Sequence, residues 1–543
     1  MPSFAGYRLP ATGYGQKANS LPRSAGGEAG LSAMTLNVSS LRRAPVHGRS
    51  GGKASTWMWH RQGWGGGSVH AHRLLITAAA ALFLAACAVG PDYRTPEVAT
   101  PDEFISAEAL QTSPVDVERD FWKAFHDATL DELIEQALAT NHDIRIAQSK
   151  LREARAVRGE SRFDLAPTVT ESAGRTRSQA SERQAPIPAI DREQSYYDTS
   201  FDAFWELDFF GRVRRNVEAQ TAALQAAEAG FYNTQVTVTA EVARNYFEMR
   251  GFQRRLEVAQ HNASNQGESV KITTARLDAG RGTQLDVSRA QAQLSFTLAT
   301  IPELEASVTR SMLRLGVLTG QSPEALLDQL GAAAPLPALP QTQSIGTPEM
   351  LLRRRPDIRI AERELAGATA RIGVAVADLF PRISFIGSWG FDAATSSNLG
   401  NAASETYSFG PSIQWAAFDL GRVRQRITQR EAAADGALAR YELSVLRALE
   451  ETDASLTDYA KARTRQGHLA ASASASTEAA TLARARFENG AADFLTVLDA
   501  ERTMLDAEDR LAQSETQTAT ALLAVYKALG GGFRPLPQSA AAR

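Results

Sequence analysis

The chain has 543 residues and a formal net charge of −3, with 58 Lys and Arg against 61 Asp and Glu. That balance gives no basic footprint for nucleic acid, and 22% charged with 43% hydrophobic residues is the make-up of an ordinary soluble protein. No apolar run reaches the roughly 18 residues of a membrane-spanning helix, which leaves open a transmembrane barrel, whose strands need only about 9–11 residues with one apolar face.

Residues 1–57 are rich in Gly, Ser, Arg and Ala without apolar periodicity. They read as disordered, or as the product of a start codon placed too early, with Met58 the true start. From there His60, Arg61, His70, His72 and Arg73 lead into the apolar stretch Leu74–Ala86, the layout of a secretory signal over 58–86. Cys87 is the one cysteine, so no internal disulfide forms. Leu84-Ala85-Ala86-Cys87 resembles a bacterial lipobox, in which the thiol is acylated and the cysteine becomes the mature N-terminus. By that resemblance Ala88, a non-Asp second residue, implies outer-membrane sorting. A small buried apolar residue is the plain alternative for Cys87.

The mature chain then opens Cys87-Ala88-Val89-Gly90-Pro91-Asp92-Tyr93 and continues as a proline-containing segment to about residue 115. Periodicity predicts a helix from near Leu130, with Leu133, Ile134 and Leu138 on one face, and another from Ile144 to about Val157. After Pro167 a Thr-, Ser- and Gly-rich stretch reads as a strand. Its partner is clearer: Tyr197, Thr199, Phe201, Ala203, Trp205 and Leu207 alternate with Asp198, Ser200, Asp202, Phe204 and Glu206. In the second half Tyr407, Phe409, Pro411, Ile413 and Trp415 alternate with Ser408, Gly410, Ser412 and Gln414. Such faces suit a barrel wall between lipid and a watery lumen. An ordinary soluble hairpin alternates in this way too.

No proline interrupts Arg212–Ala279, where Phe231, Val238, Val242, Met249, Phe252, Leu256 and Ala259 step by sevens, threes and fours. These 68 residues would reach roughly 100 Å, a rod rather than a globular helix. Asp278-Ala279-Gly280-Arg281-Gly282 predicts a turn. The return helix carries Leu294, Leu298, Ile301, Val308, Met312 and Leu315 on its seam, with a kink expected at Pro302. A Pro/Ala linker follows at Ala332–Pro340.

Much of this is written twice. Gly211-Arg212-Val213-Arg214 recurs 210 residues later as Gly421-Arg422-Val423-Arg424, with Trp205 and Trp415 each six residues ahead. The shift carries Gly280 onto Gly490, Leu285 onto Leu495, Val287 onto Val497 and Ala290 onto Ala500. Upstream, Asp143-Ile144-Arg145-Ile146-Ala147 recurs at Asp357–Ala361 and Pro167 at Pro381, with a shift of 214, so about four residues separate the copies in the loop between strands. This is no solenoid period. A strand–strand–helix–helix unit is duplicated, dividing the mature chain into a linker and first repeat at 87–340 and a second repeat and tail at 341–543.

The Cys-x-Val-Gly-Pro-Asp-Tyr start, Leu352–Ile358, Leu379–Ile383, Phe418–Arg424 and Tyr526–Gly532 together resemble lipoprotein outer-membrane efflux factors, the TolC-like and OprM-like ducts of tripartite pumps. The resemblance implies an α+β membrane protein: a trimeric 12-stranded transmembrane β-barrel, four strands per chain, continued by a long periplasmic α-helical coiled-coil barrel, with a small mixed equatorial region. It implies a homotrimer in the outer membrane of a Gram-negative bacterium, lipid-anchored at Cys87, with a periplasmic membrane-fusion adaptor and an inner-membrane RND-type transporter as partners. Leu495 falls on the family's apolar constriction, and Asp499 and Arg502 on its charged gate pair. Positions 495, 499 and 502 share one helix face, and such rings can gate by dewetting and charge pairing. A lone surface pair of Asp499 and Arg502 is the bland reading. The helical tips at Gly280, Arg281 and Gly490 resemble those that receive the adaptor, and plain helix caps would use the same glycines.

No enzyme is expected. His126, His142, His261 and His468 show no ligand spacing, and Gly280-Arg281-Gly282 ends a helix where a dinucleotide fingerprint would follow a strand. No catalytic residue, metal or cofactor is expected beyond the covalent lipid on Cys87. The reading is an exit duct that passively conducts drugs or other small solutes. The rival is a lipid-anchored periplasmic coiled-coil adaptor or scaffold without a pore, in which the helical hairpin normally occurs once. The exported compounds and the particular pump have no signature in the sequence.

Overall fold

The computed structural model describes residues 88–105, 112–113, 120–181, 183, 192–340, 343–344 and 346–535. Cys87, the signal segment read at 58–86 and the extension 1–57 lie outside the described residues. In chain order the elements are β1 (Thr112–Ser113), α1 (Ala128–Thr140), α2 (His142–Phe163), β2 (Thr168–Gln179), β3 (Glu193–Leu207), α3 (Arg212–Asp278), α4 (Gln284–Leu318) and α5 (Leu327–Leu330). The second half adds β4 (Gln343–Ser344), α6 (Pro348–Arg354), α7 (Pro356–Ala377), β5 (Arg382–Ala393), β6 (Glu405–Gln414), α8 (Leu420–Glu488) and α9 (Phe494–Ala528).

Four strands form one antiparallel sheet in the order β2-β3-β5-β6. Thr168 pairs with Phe204 and Arg382 with Gln414, which is one register under the sequence shifts of 214 and 210. Period two then sorts the side chains. Phe201, Trp389 and Tyr407 lie in one row across three strands, with Phe201 stacked on Trp389 at 6.2 Å. On the other face Ser200 and Ser172 donate to the Asp202 carboxylate at 2.9 and 3.1 Å. Phe204 and Ile386, paired across β3 and β5, put one apolar step on that polar face. The outer sides of β2 and β6 have no strand partner among the described residues.

The helices continue the strands. α2 runs into β2, β3 into α3, α7 into β5 and β6 into α8. They pack as α2 on α3, α3 on α7 and α7 on α8, so the helical layer keeps the strand order. Farther from the sheet α4 replaces α2 and α9 replaces α7, giving α4 on α3, α3 on α9 and α9 on α8. α3 is 67 residues long and α8 69, about 100 Å each. The buried stripe of α3 follows the expected seam, with Phe231, Val238, Val242 and Met249 all buried. α4 behaves differently. Its helix continues through Pro302, and Leu298, expected on the seam, is exposed together with Phe296. The reason is position: among the described residues α4 packs mainly on α3, with its other contacts to helices made chiefly by the short turns at 323–330 that follow its C-terminal end.

The Gly-Arg-Val-Arg repeat has two local structures. In the first copy the Asp208 carboxylate accepts from the amides of Val213 and Arg214 at 3.0 and 2.9 Å, satisfying orphan donors of the first turn of α3. Gly211 precedes the helix at φ 80°, a backbone state that favours glycine, and a Cβ there would lie 2.7 Å from Ala88. In the second copy α8 starts at Leu420, so Gly421 is helical with open space around it.

Between sheet and hairpin ends lies the main core. Phe121, Trp122, Phe125, Leu130, Leu133, Tyr246, Phe247 and Met249 are buried in one cluster with Leu315 and Tyr526. Phe121 stacks on Tyr526 at 4.9 Å, and β1 pairs in parallel with β4. The duplicated contacts reach here in altered residues. Asn141, before α2, donates to Leu318 O at 2.8 Å; its counterpart Arg355, before α7, donates to Ala528 O at 2.7 Å. Both close the C-terminal end of a return helix.

Candidate functional site at the hairpin ends

The two hairpins end in matching turns. Gly280 (φ 68°) donates to Leu277 O at 2.9 Å and Arg281 N to Arg276 O at 2.8 Å. Gly490 (φ 75°) donates to Phe487 O at 2.9 Å and Ala491 N to Arg486 O at 2.8 Å. This is the left-handed helix ending that favours glycine. Each return helix is then capped: Thr283 and Asp286 form a capping box on α4, and Asp493 accepts from Thr496 N at 2.9 Å on α9. The hydroxyl and amide of Thr496 hold the Asp493 carboxyl below its ordinary range. The Arg281 side chain is exposed.

On α9, Leu495, Asp499 and Arg502 share one open face, with Leu495 50% exposed. Phe494, Val497, Glu501 and Met504 face inward. Asp499 and Arg502 make no ion pair with each other within the chain. Leu495 and Asp499 line an open groove of about 700 Å³ with Leu482 and Arg486 of α8.

Behind that face is a polar knot that the heptad reading missed. Glu501 is 4% exposed; it accepts from Arg484 Nη2 at 2.6 Å and from Ser269 Oγ at 2.9 Å. Arg484 also donates to Asn265 O at 3.2 Å. The knot ties α8, α9 and α3 together one residue before Arg502. A carboxylate on the inward stripe of α9 was the one signal available. Closer to the turns, Arg276 donates to Phe487 O and Glu488 O at 2.6 and 3.1 Å, with its guanidinium 3.9 Å over the Phe487 ring. A cation there meets the negative end of the α8 dipole. Ala290, Ala483, Phe487, Phe494 and Val497 form a small apolar cluster at this end.

At the other end of the helices the N-terminal segment is strapped down. Val89 N donates to Phe210 O at 3.1 Å, and buried Arg215 binds Val89 O, Gly90 O and Asp92. Tyr93 donates to Glu362 at 3.0 Å; burial, with the nearby carboxylate, pushes its phenol up to about 12. At the chain's other end Arg534 pairs with Glu135 at 2.6 Å and lies over Trp122, holding the Glu135 carboxyl below its ordinary range.

Among the described residues no group of three His, Cys, Asp or Glu could hold a metal, and no helix is long and apolar enough to cross a membrane.

The outer membrane efflux protein family model matches residues 133–321 and again 347–531. The chain is 32% identical over 467 residues to the outer membrane protein OprJ of Pseudomonas aeruginosa, covering 83% of this chain and 94% of that protein. It is 29% identical to the solvent efflux pump outer membrane protein SrpC of Pseudomonas putida, over 84% of this chain and 97% of the relative. Among solved structures, the outer-membrane channel OprN matches with a TM-score of 0.77 and 44% identity, over 82% of this chain and 99% of that one. SrpC is named as part of a solvent efflux pump and OprN as an outer-membrane channel. With both halves matched in order by one family, the chain belongs to the outer membrane efflux proteins.

Proposed function

We propose that the chain is one third of an outer-membrane exit duct, a homotrimer that passively conducts drugs or other small solutes delivered by an inner-membrane transporter through a periplasmic adaptor. The observation that carries this is the open sheet with a matching helical order. Four strands with two free edges cannot stand in lipid, where each unpaired backbone group costs several kcal/mol. Three copies joined β6 to β2 make a closed twelve-stranded barrel with its aromatic row outward, continued by α2, α3, α7 and α8 of each chain. The matching registers and turns of the two halves support an internal duplication. The name of SrpC supports the efflux role, and those of SrpC and OprJ the outer membrane as its place.

In this reading an acylated Cys87 is the anchor. Its neighbour Ala88 packs at Gly211, where β3 passes into α3, the level at which a lipid-facing sheet leaves the membrane. Rings of Leu495, Asp499 and Arg502 form the periplasmic gate, and the tips at Gly280, Arg281 and Gly490 receive the adaptor. Opening is a shift between closed and splayed tips, driven by the adaptor's higher affinity for the open form. The test is planar-bilayer conductance of the purified protein, with its mass after mild cross-linking. A trimer that conducts supports the duct; a monomeric, non-conducting protein that salt or alkali strips from the membrane overturns it.

A further inference from the structure

On α7, Glu362 faces the N-terminal segment and accepts hydrogen bonds from Tyr93 and Thr95. At about 100° per residue, Ile360, Glu364, Gly367 and Arg371 lie roughly 140–200° around the helix from Glu362, on its opposite face. That face is the floor of a groove of about 720 Å³ between α3 and α8, walled largely by alanine. Besides Arg363, which is paired with Glu362 and donates to Gln225 at 3.1 Å, four cations border it: Lys150 from α2, Arg371 from α7, and Arg430 and Arg440 from α8. Among the described residues none of these four has a hydrogen-bond or ion-pair partner, and the lining carries one carboxylate, Glu364. The strapping arginines elsewhere, Arg215, Arg355, Arg484 and Arg534, are all paired.

The repeat sharpens the contrast. Under its shifts the first-half counterparts of Arg371, Arg430 and Arg440 are Val157, Gln220 and Gly230, and Lys150 corresponds to Glu364. Three of the four cations therefore belong to the second half alone, at positions where the helical packing does not require charge.

We propose that this groove is an anion-concentrating collar on the inner wall of the duct, drawing in solutes that carry carboxylate, phosphate or sulfonate groups. The inference rests on the duct reading: a segment that follows a lipid-anchored cysteine runs along the outside of the wall, so the opposite face of α7 looks into the lumen. Unpaired guanidinium groups against an apolar wall focus a positive potential and offer forked donors to oxyanions. Their open setting lets an anion leave again, as conduction requires.

The test is the reversal potential of the full-length protein in a planar bilayer under a KCl gradient at low salt. Wild type is compared with R371Q/R430Q/R440Q and with R359Q, which removes a charge on the face of α7 toward the N-terminal segment. Wild type should favour chloride, the triple variant should lose that preference severalfold, and R359Q should behave as wild type. The difference should collapse near 1 M salt, where the screening length falls to about 3 Å. Three conducting proteins with one unchanged chloride preference would overturn the collar and leave the duct standing. Verified insertion without conductance in any of them would remove the duct, and the collar with it.

Discussion

The indole of Trp205 donates to the backbone carbonyl of Leu165 at 3.0 Å, pinning the end of β3 to the residues that lead into β2. Trp415 does the same to Leu379, also at 3.0 Å. The acceptors are 214 residues apart and the donors 210, so each half closes its hairpin with the same bond. Trp205→Phe and Trp415→Phe keep most of the ring and lose the donor. Each should cost about 0.5–1.5 kcal/mol, the net worth of one hydrogen bond. The two losses should be similar, read as a drop in the dissociation temperature of the proposed trimer in detergent. A large effect at one site and none at the other would show that the halves are not equivalent there.

In the proposed duct, Asp499→Ala with Arg502→Ala should raise the resting conductance well above that of the wild type, because both proposed charged rings would vanish from the face that Asp499 and Arg502 share with Leu495. Leu495→Ala alone should give a smaller rise by widening the apolar ring. Unchanged currents in both would move the constriction elsewhere.

Glu501→Ala leaves Arg484 without its carboxylate and Ser269 without its acceptor. The expected cost is about 1–3 kcal/mol, below that of a fully buried pair because Arg484 reaches solvent. The loss should appear locally, as faster amide exchange over residues 480–505, with the main core around Trp122 unaffected.

Gly280→Ala and Gly490→Ala test the turns. A Cβ at either position meets open space, so the cost is the left-handed backbone alone, about 1–2 kcal/mol each. Equal destabilisation of the two hairpin ends, read by exchange at those ends, is the expected result.

Tyr93 gives the strap a pH limit. Its folded pKa is raised above the ordinary value of 10 to about 12, so the folded form holds the phenolic proton more tightly than the unfolded chain. The strap's stability is full below pH 10 and falls as pH rises toward 12. Protease sensitivity of residues 88–100 should rise in that window, and Tyr93→Phe should flatten the rise.

The parts of the fold that depend on spacing were legible in the sequence. Alternation at Tyr197–Leu207 assigned both faces of β3, the heptads of α3 marked its buried seam, and Gly280 and Gly490 marked the turns. What stayed hidden depends on which neighbour a residue meets. Asn141 and Arg355 do one job with different side chains, so letter matching passes over them. Gly211 and Gly421 share a letter and do different jobs, because only the first lies under Ala88. Leu298 carries the seam pattern and is exposed because α4 packs mainly on α3. Glu501 stands on the inward stripe of α9, and its role appears only when Arg484 is brought to it from the other helix.

The two sequence shifts also set a rule for how this chain can vary. The shift is 214 before the strand loops and 210 after them, and it then stays at 210 through hairpins whose return helices are both 35 residues long. A residue added in a strand loop at one end of the sheet moves nothing else. A full turn added to either hairpin would lower one leg by about 5.4 Å and, in the proposed trimer, leave six legs of unequal length beneath a threefold body. Tolerance to insertion should therefore be steeply polarised, generous at the strand loops and close to nil along the hairpins, and a library of single-site insertions would trace that gradient directly.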